Sequence, residues 1–350
     1  ASHSRSVIDD NVAFAYGCYY AAQCADGSVP GNYFAPDGDY DIYDYRSPDD
    51  TRVNQELRAE LRGRFDTGLV SHELSFGADT FRRTVDKRKN VNEYVGTANI
   101  DDAQVPQYAP SPLMPGASAR RLYSKQDALF ALDRMRFGDH WQWLVGGRRI
   151  KLDERAYDKR GTPERHSTLS RFLPQTAVIW NATDAVNAYV SYVRGISLGQ
   201  EAPFWTSNES TFLPPLLSRQ VEVGVKYASS DTLSLGAALF RTSQPFQYAK
   251  PDDSDAGFTF VQRGQQTHTG VELTANGKLT ERLQLNASAS VLQARARDAG
   301  TPAYEGHQLV NVPRTRANVH VDYQLPFVAG LGVTGGWRYA SANTATVDGS

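Results

Sequence analysis

Apolar and polar residues alternate with a period of two along most of the chain. This pattern constrains the fold more than any other feature. From 53 to 65, Val53, Leu57, Ala59, Leu61 and Phe65 share one parity, while Asn54, Glu56, Arg58, Glu60, Arg62 and Arg64 fill the other. A helix would scatter these charges around its circumference, whereas an extended strand puts them all on one face. The same alternation recurs at Val221, Val223, Val225 and Tyr227, at Leu233, Leu235, Ala237 and Leu239, and at Leu283, Leu285, Ala287, Ala289 and Val291. It returns at Ala317, Val319, Val321 and Tyr323 and at Leu331, Val333, Trp337 and Tyr339. About thirteen strands are predicted: 1–8, 44–65, 69–82, 121–137, 141–151, 169–180, 185–194, 219–227, 233–242, 258–276, 283–294, 311–323 and 331–340.

The connections alternate too. Short ones fall near 66–68, 138–140, 181–184, 228–232, 277–282 and 324–330; long polar ones near 9–43, 83–120, 152–168, 195–218, 243–257 and 295–310. Short turns at one end and long loops at the other fit an outer-membrane barrel and give a β-sandwich or propeller no rationale. Aromatics near the strand ends, among them Phe65, Phe137, Trp141, Trp143, Trp180, Tyr227, Tyr323 and Phe327, suit interfacial girdles. The fold class expected is therefore all-β, an antiparallel transmembrane β-barrel. The apolar runs are too short for a transmembrane helix, which needs about 20 residues. A net charge of −2 leaves no basic footprint for nucleic acid.

No catalytic or metal motif survives its context. Gly330-Leu-Gly332-Val-Thr-Gly335 matches a dinucleotide fingerprint, but a strand follows it where a helix is required. The histidines are scattered, and no carboxylates sit in an acid/base arrangement. No enzyme activity, protein-held metal or cofactor is expected. The two cysteines, Cys18 and Cys24, lie in one polar stretch and are expected to pair in an oxidising compartment, clipping a loop. The long loops carry aromatics beside polar groups, the mixture a surface binding site uses. Tyr43, Tyr45, Phe204, Trp205, Phe246 and Tyr248 are the candidate ligand contacts, with Arg46 as the partner of an anionic group.

In order and spacing, several short stretches resemble TonB-dependent siderophore receptors. They are Asp9-Asp-Asn-Val-Ala-Phe-Ala-Tyr-Gly17, Tyr40-Asp-Ile-Tyr-Asp-Tyr-Arg-Ser47, Tyr189-Val-Ser-Tyr-Val-Arg-Gly195, Gln220-Val-Glu-Val-Gly-Val-Lys-Tyr227, Ala238-Leu-Phe-Arg241, Gly270-Val-Glu-Leu273 and Asn311-Val-Pro-Arg314. The resemblance implies a barrel of about 22 strands with a plugged lumen. Residues 1–350 would supply some thirteen of those strands, with the plug, the first strands and the last strands lying outside them. It also implies a bacterial outer-membrane receptor that binds a ferric siderophore at its extracellular loops and transports it with energy from the TonB complex. Outer-membrane lipid would surround it, and the siderophore itself would hold the iron. The similarity over 9–47 inclines the expectation toward a hydroxamate chelate. A passive porin and a soluble carbohydrate-binding or adhesive β-protein are the competing readings.

Overall fold

A computed structural model describes residues 1–20, 24, 34–102, 104, 107–203, 205–209, 211–229, 232–328 and 330–344. All regular secondary structure among them is strand. The strands are β1 (Ser2–Ala15), β2 (Asp39–Thr67), β3 (Val70–Arg88), β4 (Val91–Asn99), β5 (Ser118–Phe137), β6 (Trp141–Tyr157), β7 (Pro163–Asn181), β8 (Val186–Ser197), β9 (Leu216–Ser229), β10 (Leu233–Pro251), β11 (Phe258–Thr280), β12 (Leu283–Arg297), β13 (Thr315–Gln324) and β14 (Gly332–Ala340). They hydrogen-bond in sequence order from β1 to β14, except that β4 leaves the path and pairs with β2. Two compact units divide the chain: residues 1–57, 80–126 and 152–168, and residues 58–79, 127–151 and 169–350.

In the second unit the registers align like with like. Val190, Val223, Leu239, Val271 and Val291 face one another across β8 to β12. Each is exposed, by 42 to 59%. On the opposite face a row of Asn187, Lys226, Gly236, Thr274, Ser288 and Asn318 crosses six strands. An apolar band of this length is stable only where the surrounding solvent is itself apolar. The apolar face is therefore the lipid face, and the polar one is the inner face. Glycines at positive φ, Gly68 and Gly138, make the short turns between β2 and β3 and between β5 and β6, a backbone region closed to most side chains.

The first unit has a core of its own. Val85, Leu122, Leu152 and Ala156 are fully buried there. So is Glu154, whose Oε1 lies 2.6 Å from the Arg165 guanidinium. A buried carboxylate needs a cation or several hydrogen-bond donors, because ionisation without them costs several kcal/mol.

Three sequence expectations need correction. The segment 83–120 is not all loop, since β4 forms within it and β3 and β5 extend into it; the described strands number fourteen. The strand expected at 311–323 begins only at Thr315. Most other strands run past their predicted ends on the long-loop side, where both strand faces are partly polar and the alternation fades. The loop expected at 243–257 is chiefly the end of β10, which reaches Pro251 and carries Phe246 and Tyr248 in a strand.

Candidate functional site

Two β-bulges decide which face the candidate aromatics occupy. Between the pairs Ile8–Asp50 and Asp10–Ser47, β2 holds one residue more than β1. Asp49 takes φ 60° there, and its N–H donates to Asp9 Oδ1 at 2.7 Å. An extra residue reverses the in–out alternation of the strand that carries it. Tyr43 and Tyr45 share odd numbering with the lipid-facing Leu57, yet they pair with Phe14 and Val12. These lie on the β1 face that carries Ser2, Ser4 and Ser6, which is the inner face. The second bulge, at Gly264 with φ 71°, lies in β11 opposite Gln247 and Pro245. Its partner β10 is unbroken, so Phe246 and Tyr248 keep the inner parity of Ser234 and Gly236.

In the first unit, six rings gather around Tyr43. Its ring centroid lies 6.3 Å from Phe14, 5.6 Å from Tyr16 and 6.2 Å from Tyr94. Tyr45 contacts Phe14 at 6.2 Å, Tyr19 stacks on Tyr16 at 6.0 Å, and Tyr20 meets Tyr94 at 4.6 Å. Burial, followed by the charges and dipoles of Tyr20, Asp41, Tyr19 and Tyr16, pushes the Tyr43 phenol well above the ordinary tyrosine range. Burial raises Tyr16 and Tyr108 as well. These phenols stay protonated and can donate hydrogen bonds. Arg46, expected to meet an anion, is occupied within the fold: it pairs with Asp44 at 3.1 Å and donates to Ser111 O and Leu113 O at 2.7 and 2.6 Å. Cys18 and Cys24 are disulfide-bonded with Cα atoms 5.6 Å apart, and Ala35 packs on them.

In the second unit the candidates fall into two clusters. Phe246 and Tyr248 stack at 4.7 Å and are buried with Ala296, Ala299 and Tyr304. The segment 298–309 folds back over them. Tyr248 Oη donates to Ala299 O at 2.7 Å, and the N–H groups of Gly306 and Leu309 donate to Ala296 O and Ala294 O, each at 2.9 Å. Trp205 is in a different cluster, edge-on to Phe258 at 5.6 Å and 40% exposed. Its loop is stitched to β11 by Asn208, whose side-chain amide exchanges two hydrogen bonds with the Phe260 backbone at 2.9 and 2.8 Å. Phe204 lies outside the described residues. Among the described residues no cluster of His, Cys, Asp and Glu could hold a metal ion.

Sequence reasoning missed Phe14, Tyr16, Tyr19, Tyr20 and Tyr94. A signal for the first two was present: Val12, Phe14 and Tyr16 continue the period of two beyond residue 8. Nothing comparable marks Tyr94, which joins the cluster only because β4 pairs with β2 at Tyr43.

A lipid-facing apolar band and a polar inner face on an antiparallel sheet define the wall of an outer-membrane β-barrel. The chain belongs to the TonB dependent receptor-like, beta-barrel family, whose profile matches residues 5–350. Members of this family are receptors and transporters in the outer membrane of Gram-negative bacteria, and the chain is an outer-membrane β-barrel protein. It is 25% identical over 297 residues to the ferrioxamine B receptor of Salmonella typhimurium, covering 83% of this chain and 40% of that protein. It is 27% identical over 312 residues to the ferrichrome receptor FcuA of Yersinia enterocolitica, covering 81% and 39%. The chain thus spans about two fifths of these relatives' length. Among solved structures it shares the fold of BauA, the ferric preacinetobactin receptor from Acinetobacter baumannii, with a TM-score of 0.69 at 22% identity over 90% of this chain and 47% of that one. It also shares that of FpvA, the pyoverdine outer membrane receptor from Pseudomonas aeruginosa PAO1, with a TM-score of 0.70 at 18% identity over 96% and 46%.

Proposed function

We propose that the chain forms part of the wall and ligand-binding surface of an outer-membrane receptor that takes up a ferric siderophore by active transport, with energy from the TonB complex. The observation that carries this reading is the cluster of inner-facing rings around Tyr43, beyond the lipid-facing band at the long-loop end of β1 and β2. A ferric siderophore is a compact complex with an organic periphery. It calls for ring surface and a few fixed donors, and it brings its own iron ligands, so no protein-held metal or cofactor is required. Within the first unit Tyr43 and Tyr45 offer contact area, and within the second, taken by itself, Trp205 does; Phe204, its neighbour in sequence, remains a candidate outside the described residues. In the second unit Phe246 and Tyr248 hold the segment 298–309 in place, and in the first Arg46 holds the segment 111–113. The relatives named for ferrioxamine and ferrichrome support a hydroxamate chelate as the ligand.

Iron-starved cells with the gene deleted, and the same cells complemented, are to be compared for uptake of iron-labelled ferrioxamine B, ferrichrome and pyoverdine. Complementation should restore uptake of at least one chelate, and dissipating the proton gradient should abolish it. Uptake that survives loss of the gradient indicates a passive pore. Unchanged uptake of every chelate, alongside failure of vitamin or sugar uptake, removes the siderophore assignment.

A further inference from the structure

Tyr19 and Tyr20 are the most exposed rings of the aromatic cluster, at 42% and 60%, and they sit on a turn rather than a strand. Unsupported, such a turn would sample many conformations, and a ligand would have to order it on binding. Two devices oppose this. Asp41 is completely buried, and its Oδ2 accepts the backbone N–H groups of both Tyr19, at 2.5 Å, and Tyr20, at 2.9 Å. The backbone of the same residue closes the base of the turn: Tyr16 N–H donates to Asp41 O and Asp41 N–H to Gly17 O, each at 2.9 Å. Gly17 at φ 61° turns the chain at this point. Cys18 and Cys24, which flank the two tyrosines in sequence, are joined and nearly sealed from solvent. The turn is thus gripped by a carboxylate from β2 and cross-linked across its own length.

We infer that Asp41 and the Cys18–Cys24 bond form a clasp that preorganises Tyr19 and Tyr20 as the outer lip of the ligand site. Asp41 is a positioning residue: its carboxylate is spent on the backbone of the turn, and it acts through the two rings. Neither partner suffices alone. The disulfide limits the spread of the turn without aiming it, whereas the carboxylate aims the two peptide planes and with them the side chains that meet Tyr16 and Tyr94. The binding role of the clasp rests on the siderophore-receptor reading above; its mechanical role does not.

The test uses the full-length receptor in outer-membrane vesicles, with ferrioxamine B and ferrichrome as probes. Asp41→Ala, the pair Cys18→Ser and Cys24→Ser, and the pair Tyr19→Ala and Tyr20→Ala should each weaken binding by roughly tenfold, with surface display unchanged. Asp41→Ala added to the tyrosine pair should cost no more than the tyrosine pair alone, because residues acting through one contact do not add. A general loss of stability would multiply the effects instead, and that result overturns the proposal. Amide exchange is read in parallel. The Tyr19 and Tyr20 amides should exchange at least about tenfold faster in Asp41→Ala than in wild type. Equal exchange overturns the clasp whatever binds. If wild type binds neither chelate while exchange responds as expected, the hydroxamate reading fails and the clasp stands.

Discussion

At the scale of single residues, burial separates the aromatics that can meet a ligand from those that hold the wall. Trp205, edge-on to Phe258, is 40% exposed, so on the siderophore-receptor reading Trp205→Ala should weaken ferric-chelate binding by about 1–3 kcal/mol and leave assembly intact. Equal affinity in the two proteins would remove Trp205 from the site. Tyr248 is buried, and its hydroxyl satisfies Ala299 O. Tyr248→Phe strands that acceptor at a cost of about 1–2 kcal/mol. The loss should appear as faster amide exchange at Gly306 and Leu309, which close the 298–309 segment, and unchanged protection at both would show that the hydroxyl does not hold it. The Tyr43 phenol sits above its ordinary value chiefly because burial disfavours the phenolate. The sign follows from linkage: a raised value means that the folded state holds its proton longer. Its contribution to stability is complete below the unfolded-tyrosine value of about 10 and declines as pH rises beyond it. In phenolate absorbance titrations, the difference between wild type and Tyr43→Phe should therefore show a group ionising above the denatured-protein range. Ionisation at or below that range would show that the ring is solvated and the packing around it loose.

At the scale of strands, the inner and outer faces make opposite demands on the same pair of neighbours. Leu235 faces lipid and Ser234 faces inward. Leu235→Arg should cost about 2–4 kcal/mol near the bilayer midplane, and Ser234→Arg far less. Equal costs in vesicle unfolding would mean that the register is wrong. This much was legible in the sequence, because alternation directly encodes a face where one side meets lipid and the other meets water. It stopped being legible where that contrast ends. Beyond the lipid band both faces of β2 are mixed, so Asp39–Tyr43 read as loop although they are strand. The reversal at Asp49 is invisible to a parity count, which puts Tyr43 and Tyr45 on the lipid side. The same limit affected Phe246 and Tyr248, read as loop residues although β10 continues straight through them, the irregularity lying at Gly264 on the neighbouring strand. Tyr43 and Tyr45 were found as candidates by composition alone. Tyr19, Tyr20 and Tyr94 depend on a turn geometry and on the pairing of β4, neither of which has a local signature.

At the scale of the whole receptor, its tryptophans report separately on the solvents around it. Trp141, Trp143, Trp180 and Trp337 lie on β6, β7 and β14 and are exposed by 42 to 55%, while Trp205 is in a long loop. The pairs Ala188–Trp180 and Val190–Val178 put Trp180 on the lipid face of β7, and Val319–Trp337 does the same for Trp337 on β14. Trp141 stacks on Trp180 at 6.3 Å beside the short-turn end, and Trp143, two residues on, shares its face. Indole rings in such positions settle at the boundary between acyl chains and headgroups. Full-length receptors retaining one tryptophan each, with the others replaced by Phe, should respond accordingly in vesicles of brominated-chain lipid. Bromine should quench Trp141, Trp143, Trp180 and Trp337, and lipids brominated high on the chain should act most strongly on Trp141 and Trp180. Trp205 should escape the lipid quencher and respond to aqueous iodide, and on the receptor reading a bound ferric chelate should quench it as well. If bromine quenched Trp205 or spared Trp180 and Trp337, the assignment of lipid and inner faces would be reversed.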